Sequence, residues 1–97
     1  MLTREQILAT LRAYKARYGE KYGIERIGLF GSYATGRANE TSDVDVFVTL
    51  RRTSLVTLSR IRLDLEERLG ITTDIVQLRE RMNPYLKSRI ENEALSA

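Results

Sequence analysis

Cysteine and histidine are both absent from this sequence of 97 residues. Without cysteine there is no disulfide framework, no zinc knuckle and no thiol nucleophile. Without histidine, the commonest general base at neutral pH and the commonest transition-metal ligand are missing as well. Catalysis, if there is any, must run on carboxylates, hydroxyls, lysine, arginine and bound metal. Such side chains suit a hard cation with oxygen ligands rather than zinc. No apolar run approaches the roughly 20 residues of a membrane span. Met1-Leu2-Thr3-Arg4-Glu5 has no apolar stretch of the kind that opens a secretion signal. A cytoplasmic protein without membrane contact is expected. A strong excess of one charge sign is also lacking: 16 Lys and Arg against 13 Asp and Glu leave a net charge of +3. That balance suits a phosphate ligand or an acidic partner, but it is too scattered to predict direct contact with nucleic acid.

What is present reads as one α/β domain spanning residues 1–97. Thr3 and Gln6 match a capping box, and Ile7, Leu8, Leu11, Tyr14, Tyr18 and Tyr22 then recur at helical spacing. The tyrosines read as packing rather than as a binding surface. Gly23 is placed to end that helix in a left-handed conformation. Ile24 to Phe30 reads as a strand running into a Gly31-Ser32 turn, and Asp43 to Leu50 as a second strand. A helix capped by Thr53 or Ser54 follows, with Leu55, Leu58, Ile61, Leu65 and Leu69 on its buried side and Gly70 at its end. Ile71 to Leu78 reads as a third strand with Asp74 at its middle. Asn83-Pro84 matches N-cap and N1 of a last helix, whose Leu86, Ile90 and Ala94 share one face. That face either covers the sheet or, with Tyr85, offers a partner an apolar stripe.

Two features carry chemistry. Alternation along the second strand puts Val44, Val46, Val48 and Leu50 on one face and Asp43, Asp45, Phe47 and Thr49 on the other. The two aspartates then lie about 6.5 Å apart on a strand apolar enough to be central. Their repulsion in such a setting turns to attraction if a divalent cation lies between them, and Mg²⁺ takes one or two carboxylates together with water and phosphate oxygens. A Gly-Ser turn leaving a strand can present backbone N–H groups and a hydroxyl to phosphate, with glycine permitting close approach. A lone Gly-Ser turn means little; one beside a paired-aspartate strand means more. Asp74, sharing a face with Val76 and Leu78, is expected to be a buried carboxylate in need of a partner, which a metal cluster would supply.

The stretch Gly31-Ser32-Tyr33-Ala34-Thr35-Gly36, followed by Ser42-Asp43-Val44-Asp45-Val46-Phe47-Val48, resembles the signature of the DNA polymerase beta-like nucleotidyltransferases, most nearly the minimal nucleotidyltransferase (MNT) family. The specific match covers about residues 24 to 78. The ending Ile90-Glu91-Asn92-Glu93-Ala94 is similar to tails of MNT proteins encoded beside HEPN-domain partners. The resemblance implies a small mixed sheet flanked by helices and a nucleotidyl transfer. Asp43, Asp45 and Asp74 would hold two Mg²⁺ ions, Gly31 and Ser32 the β- and γ-phosphates of ATP, and Asp74 would help to deprotonate the acceptor hydroxyl. One position departs from the pattern. Many relatives carry arginine after the motif alanine, where this chain has Thr35; Arg37 is nearby but out of register.

Three functions are compatible with that resemblance. The first is a type VII-like antitoxin that transfers AMP from ATP to a tyrosine of a cognate HEPN toxin. The absence of an acceptor-binding domain favours it, because a protein partner would then complete the site in a hetero-oligomer. The second is a binding module that neutralises the same partner by contact, and the third a stand-alone transferase acting on a small hydroxylated acceptor.

Overall fold

The computed structural model describes residues 1–97. The Thr3 hydroxyl accepts from the Gln6 N–H at 3.1 Å, and the Gln6 side chain accepts from the Thr3 N–H at 2.8 Å. This capping box starts α1 (Arg4–Tyr22). Gly23 stops the helix at φ 67° and turns the chain into β1 (Ile24–Phe30). The short helix α2 (Ser32–Thr35) precedes a loop and β2 (Val44–Leu50). Ser54 caps α3 (Leu55–Leu69), and β3 (Thr73–Gln77) follows. Asn83 accepts from the Leu86 N–H at 3.1 Å, and Pro84 opens α4 (Pro84–Glu93). The chain finishes on β4 (Leu95–Ser96).

The sheet is mixed, in the order β3-β2-β1-β4. β2 runs antiparallel to β1 and parallel to β3, and β4 lies antiparallel along β1. A parallel neighbour demands a crossover, which α3 supplies. Helices cover both faces. Ile7 and Leu11 of α1 and Ile61 and Leu65 of α3 pack with Ile27, Leu29, Val44, Val46 and Val48, all fully buried or nearly so. On the other face Ile90 of α4 packs with Phe30 and Phe47, joined by the half-buried Val76, Leu86 and Ala94. Each such side chain contributes about 1.5–3 kcal/mol of burial.

Tyr14 is buried as expected, and its hydroxyl donates to Asp64 Oδ2 at 2.7 Å. Burial, then that hydrogen bond to a carboxylate, push its pKa well up.

Of the two roles open to the α4 stripe, it takes that of covering the sheet: Ile90 is fully buried and only Tyr85 of that group stays exposed. Phe47 and Phe30 on the second sheet face required a cover, and α4 is the helix that reaches them. Leu55 is 78% exposed rather than on the buried side of α3. Helical side chains tilt toward the N-terminus, so a residue at the first helical position projects past the first turn. The third strand is shorter than expected and Asp74 is its second residue. β4 was not foreseen: two residues are too few to carry a periodic signal.

Candidate active site

β1 ends at Phe30, which pairs with Asp45 on β2, and Asp45 pairs in turn with Asp74 on β3. The sheet thus sets Gly31, Asp45 and Asp74 side by side across three neighbouring strands. They lie at the end where β1 finishes and where β2 and β3 begin. The parallel β2–β3 pairing is what makes this possible, since a hairpin would have carried Asp74 toward the opposite end. Asp43 lies just before β2 and is exposed, while Asp45 is half-buried.

Gly31 is buried, with φ 78° and ψ −154°, a conformation that is essentially glycine-only. A Cβ built on it would fall on Asp45 Oδ2. Glycine is therefore needed twice, for the backbone turn and for the close approach of the carboxylate. The Gly31 carbonyl closes the turn by accepting from the N–H groups of Ala34 at 3.1 Å and Thr35 at 3.0 Å. The Thr35 hydroxyl also donates to it at 3.1 Å. Thr35 is thereby used inside its own turn and cannot replace an arginine aimed at phosphate. Ser32, half-buried, follows at the rim.

The Asp45 carboxyl is held above the usual carboxylate range. Burial is the largest cause, followed by repulsion from Asp74; Asp43 and Glu93 add to it, and Arg89 opposes it. The structure therefore sets Asp45 and Asp74, both named from the sequence, opposite each other, and leaves Asp43 just ahead of them on the chain's approach to β2. It differs on Asp74, which is exposed rather than buried. β3 is an edge strand, and its first buried residue is Thr73. No three acidic side chains close into a group able to hold an ion unaided. Mutual repulsion disfavours such a cluster. The chemistry of the donor set still fits Mg²⁺: hard carboxylate oxygens on neighbouring strands, one of them held at a charge cost that a cation would relieve.

Two residues of α4 belong to this environment and were not singled out from the sequence. Glu93 Oε1 accepts from the Gly31 N–H at 3.0 Å and lies 3.5 Å from Arg89 Nη2. One signal was available: Glu93 is the last residue of its helix, where the dipole disfavours a carboxylate. The largest cavity, about 640 Å³ beside Gly23, Arg51 and Ser54, lies at the opposite end of β1 and β2 and contains none of the site carboxylates.

A Gly-Ser turn beside acidic residues on adjoining strands of a mixed sheet is the arrangement of a nucleotidyltransferase domain. Residues 11–96 match that family, described as the nucleotidyltransferase domain, and the chain belongs to it. Among its relatives is the protein adenylyltransferase MntA of Thermococcus cleftensis, 40% identical over 96 residues that cover 98% of this chain and 92% of that one. A solved structure described as a candidate minimal nucleotidyltransferase superposes with a TM-score of 0.78 at 33% identity, covering 97% of this chain and 95% of the other. A complex of tri-AMPylated Shewanella oneidensis HEPN toxin with MNT antitoxin shares the fold at a TM-score of 0.62 and 20% identity, covering 96% of this chain and 66% of that one. No helix is long and apolar enough to cross a membrane.

Proposed function

We propose that this chain transfers AMP from ATP to a tyrosine hydroxyl of a HEPN-domain toxin and so acts as the antitoxin of the pair. The observation that carries the reading is the register that sets Asp45 against Asp74 beside Gly31. The relative MntA is itself a protein adenylyltransferase. Gly31 and Ser32 receive the β- and γ-phosphates. Asp43, Asp45 and Asp74 would hold the two Mg²⁺ ions, which would supply neutralisation of charge on the attacking and leaving oxygens. The greater exposure of Asp74 among the paired strand carboxylates supports its role, which is to accept the proton of the acceptor hydroxyl. That oxygen attacks the α-phosphorus and pyrophosphate departs. The chain positions the nucleotide, and the partner's own surface brings its hydroxyl into line with the α-phosphorus.

The test combines the chain, Mg²⁺, ATP and the product of an adjacent HEPN-type reading frame. The partner should gain the mass of one or more AMP units on tyrosine, and Asp43→Asn with Asp45→Asn should abolish the gain while leaving the melting curve cooperative. An unmodified partner that still co-purifies and loses its toxicity would replace this reading with neutralisation by contact. The internal use of Thr35 favours that second reading over a small-molecule transferase.

A further inference from the structure

The Gly31 N–H, which the proposed function assigns to phosphate, already has an anionic partner. Glu93 Oε1 accepts from it at 3.0 Å. This carboxylate reaches the turn from another element, α4, across 62 residues of chain. Its position runs against local electrostatics: it ends a helix that has no basic residue in its last turn, where the dipole favours a cation. It also adds negative charge beside Asp45. Two contacts offset that cost, the Gly31 N–H and Arg89 one turn back at 3.5 Å. Only 22% of the Glu93 side chain is exposed, so water does little of this work. Arg89 in turn is the cation that acts on Asp45, and its guanidinium stands over the Phe30 ring at 5.8 Å. The site thus has a positive charge although position 35 lacks an arginine.

We propose that Arg89 and Glu93 form an exchange pair for the nucleotide's phosphate: Glu93 holds the Gly31 N–H while the site is empty and yields it to a phosphate oxygen, and Arg89 then turns its charge from Glu93 to the triphosphate. This rests on the nucleotide reading of Gly31 and Ser32. A carboxylate and a phosphate oxygen are alternative acceptors for one donor, so the two exclude each other. Arginine suits the second partner because its fork matches phosphate as well as carboxylate. The pair thereby sets the affinity for nucleotide from α4, the helix that also closes the second face of the sheet.

The experiment is calorimetric titration of the full chain with AMP-PNP and Mg²⁺. Glu93→Ala should bind about tenfold tighter than the unaltered chain, the equivalent of one charge-assisted hydrogen bond no longer competed for. Glu93→Gln should fall between them, because a neutral acceptor competes about half as strongly. Arg89→Gln placed in the Glu93→Ala background should weaken binding about tenfold again, which separates the cation's own contribution from its hold on Glu93. A purely structural Glu93 would give the reverse: cooperative melting, with binding equal to or weaker than that of the unaltered chain in both Glu93 variants. That result overturns the proposal. Absence of AMP-PNP binding by the unaltered chain overturns the nucleotide reading itself, and the exchange pair with it.

Discussion

Replacing Asp45 by asparagine should stabilise the metal-free protein and disable it in one step. The side chains are nearly isosteric, so the Gly31 contact and the packing of β2 stay in place while one charge disappears. That charge is unfavourable where it stands, half-buried, in cross-strand register with Asp74 and near Asp43 and Glu93. Like charges directly opposite on neighbouring strands cost up to about 1 kcal/mol. Partial exposure holds the total near that figure. For a domain of this size about 1 kcal/mol moves the midpoint by roughly 4–8 °C. The measurement is a thermal melt with chelator present. Adding Mg²⁺ and ATP should invert the order. A ligand at 100 times its Kd adds about 2.7 kcal/mol to the unaltered chain, and the variant gains far less. The sign of the pH dependence follows from the raised pKa. Between the ordinary aspartate value, about 3.9, and the raised value, the folded chain holds the proton more tightly than the unfolded one. The contribution of Asp45 to stability therefore falls as pH rises through that window. Below pH about 3.9 it is protonated in both states, and the advantage of Asp45→Asn should fade. A variant that melts lower than the unaltered chain in chelator, or that still transfers AMP, would refute the reasoning.

Gly31→Ala should cost about 1–3 kcal/mol from the backbone conformation alone, and more from displacement of the Asp45 carboxylate. In an Asp45→Ala background the second part should vanish and the first remain; an unchanged cost by denaturant melts would contradict the contact. Tyr14→Phe should lower stability by about 1.5–3 kcal/mol at neutral pH, because the phenol's bond goes to a carboxylate. The folded pKa of Tyr14 is raised, so stability should decline as pH climbs past the ordinary tyrosine value, about 10, and that decline should be shallower in Tyr14→Phe.

The parts of the fold legible in the sequence were those whose cause is local. A capping box is two side chains three residues apart, and Thr3 with Gln6 forms one. Gly23 and Gly70 end their helices left-handed, and Asn83-Pro84 starts one, for reasons contained within a single turn. Alternation put Asp45 and Phe47 on one face correctly, but it could not say what covers that face. The answer, α4, depends on a side chain some forty positions away. The same limit explains Asp74. Its place beside Asp45 is a matter of parallel register, and its exposure follows from an edge strand; neither is encoded in the neighbours of residue 74. Glu93 was the least accessible of all, because its partner is a backbone N–H on another element.

Those long-range facts bear on what kind of acceptor the site can serve. Asp43 and Asp74 are exposed, and the largest cavity lies at the far end of the sheet. The carboxylates therefore stand at an open edge with little wall to hold a small acceptor in line with an α-phosphorus. Alignment is worth about 7–11 kcal/mol in such reactions and has to come from some surface. On one sheet face α1 and α3 are committed to the core, and on the other α4 is committed through Ile90. The most exposed apolar side chains of α3, Leu55 and Val56 at 78% and 82%, adjoin Ser54 at the far end of the sheet, away from the carboxylates. An acceptor that brings its own surface, as a tyrosine on a folded protein does, supplies the alignment this chain lacks. A free small alcohol does not. The openness of the site, more than any single residue in it, is what favours a protein as the substrate.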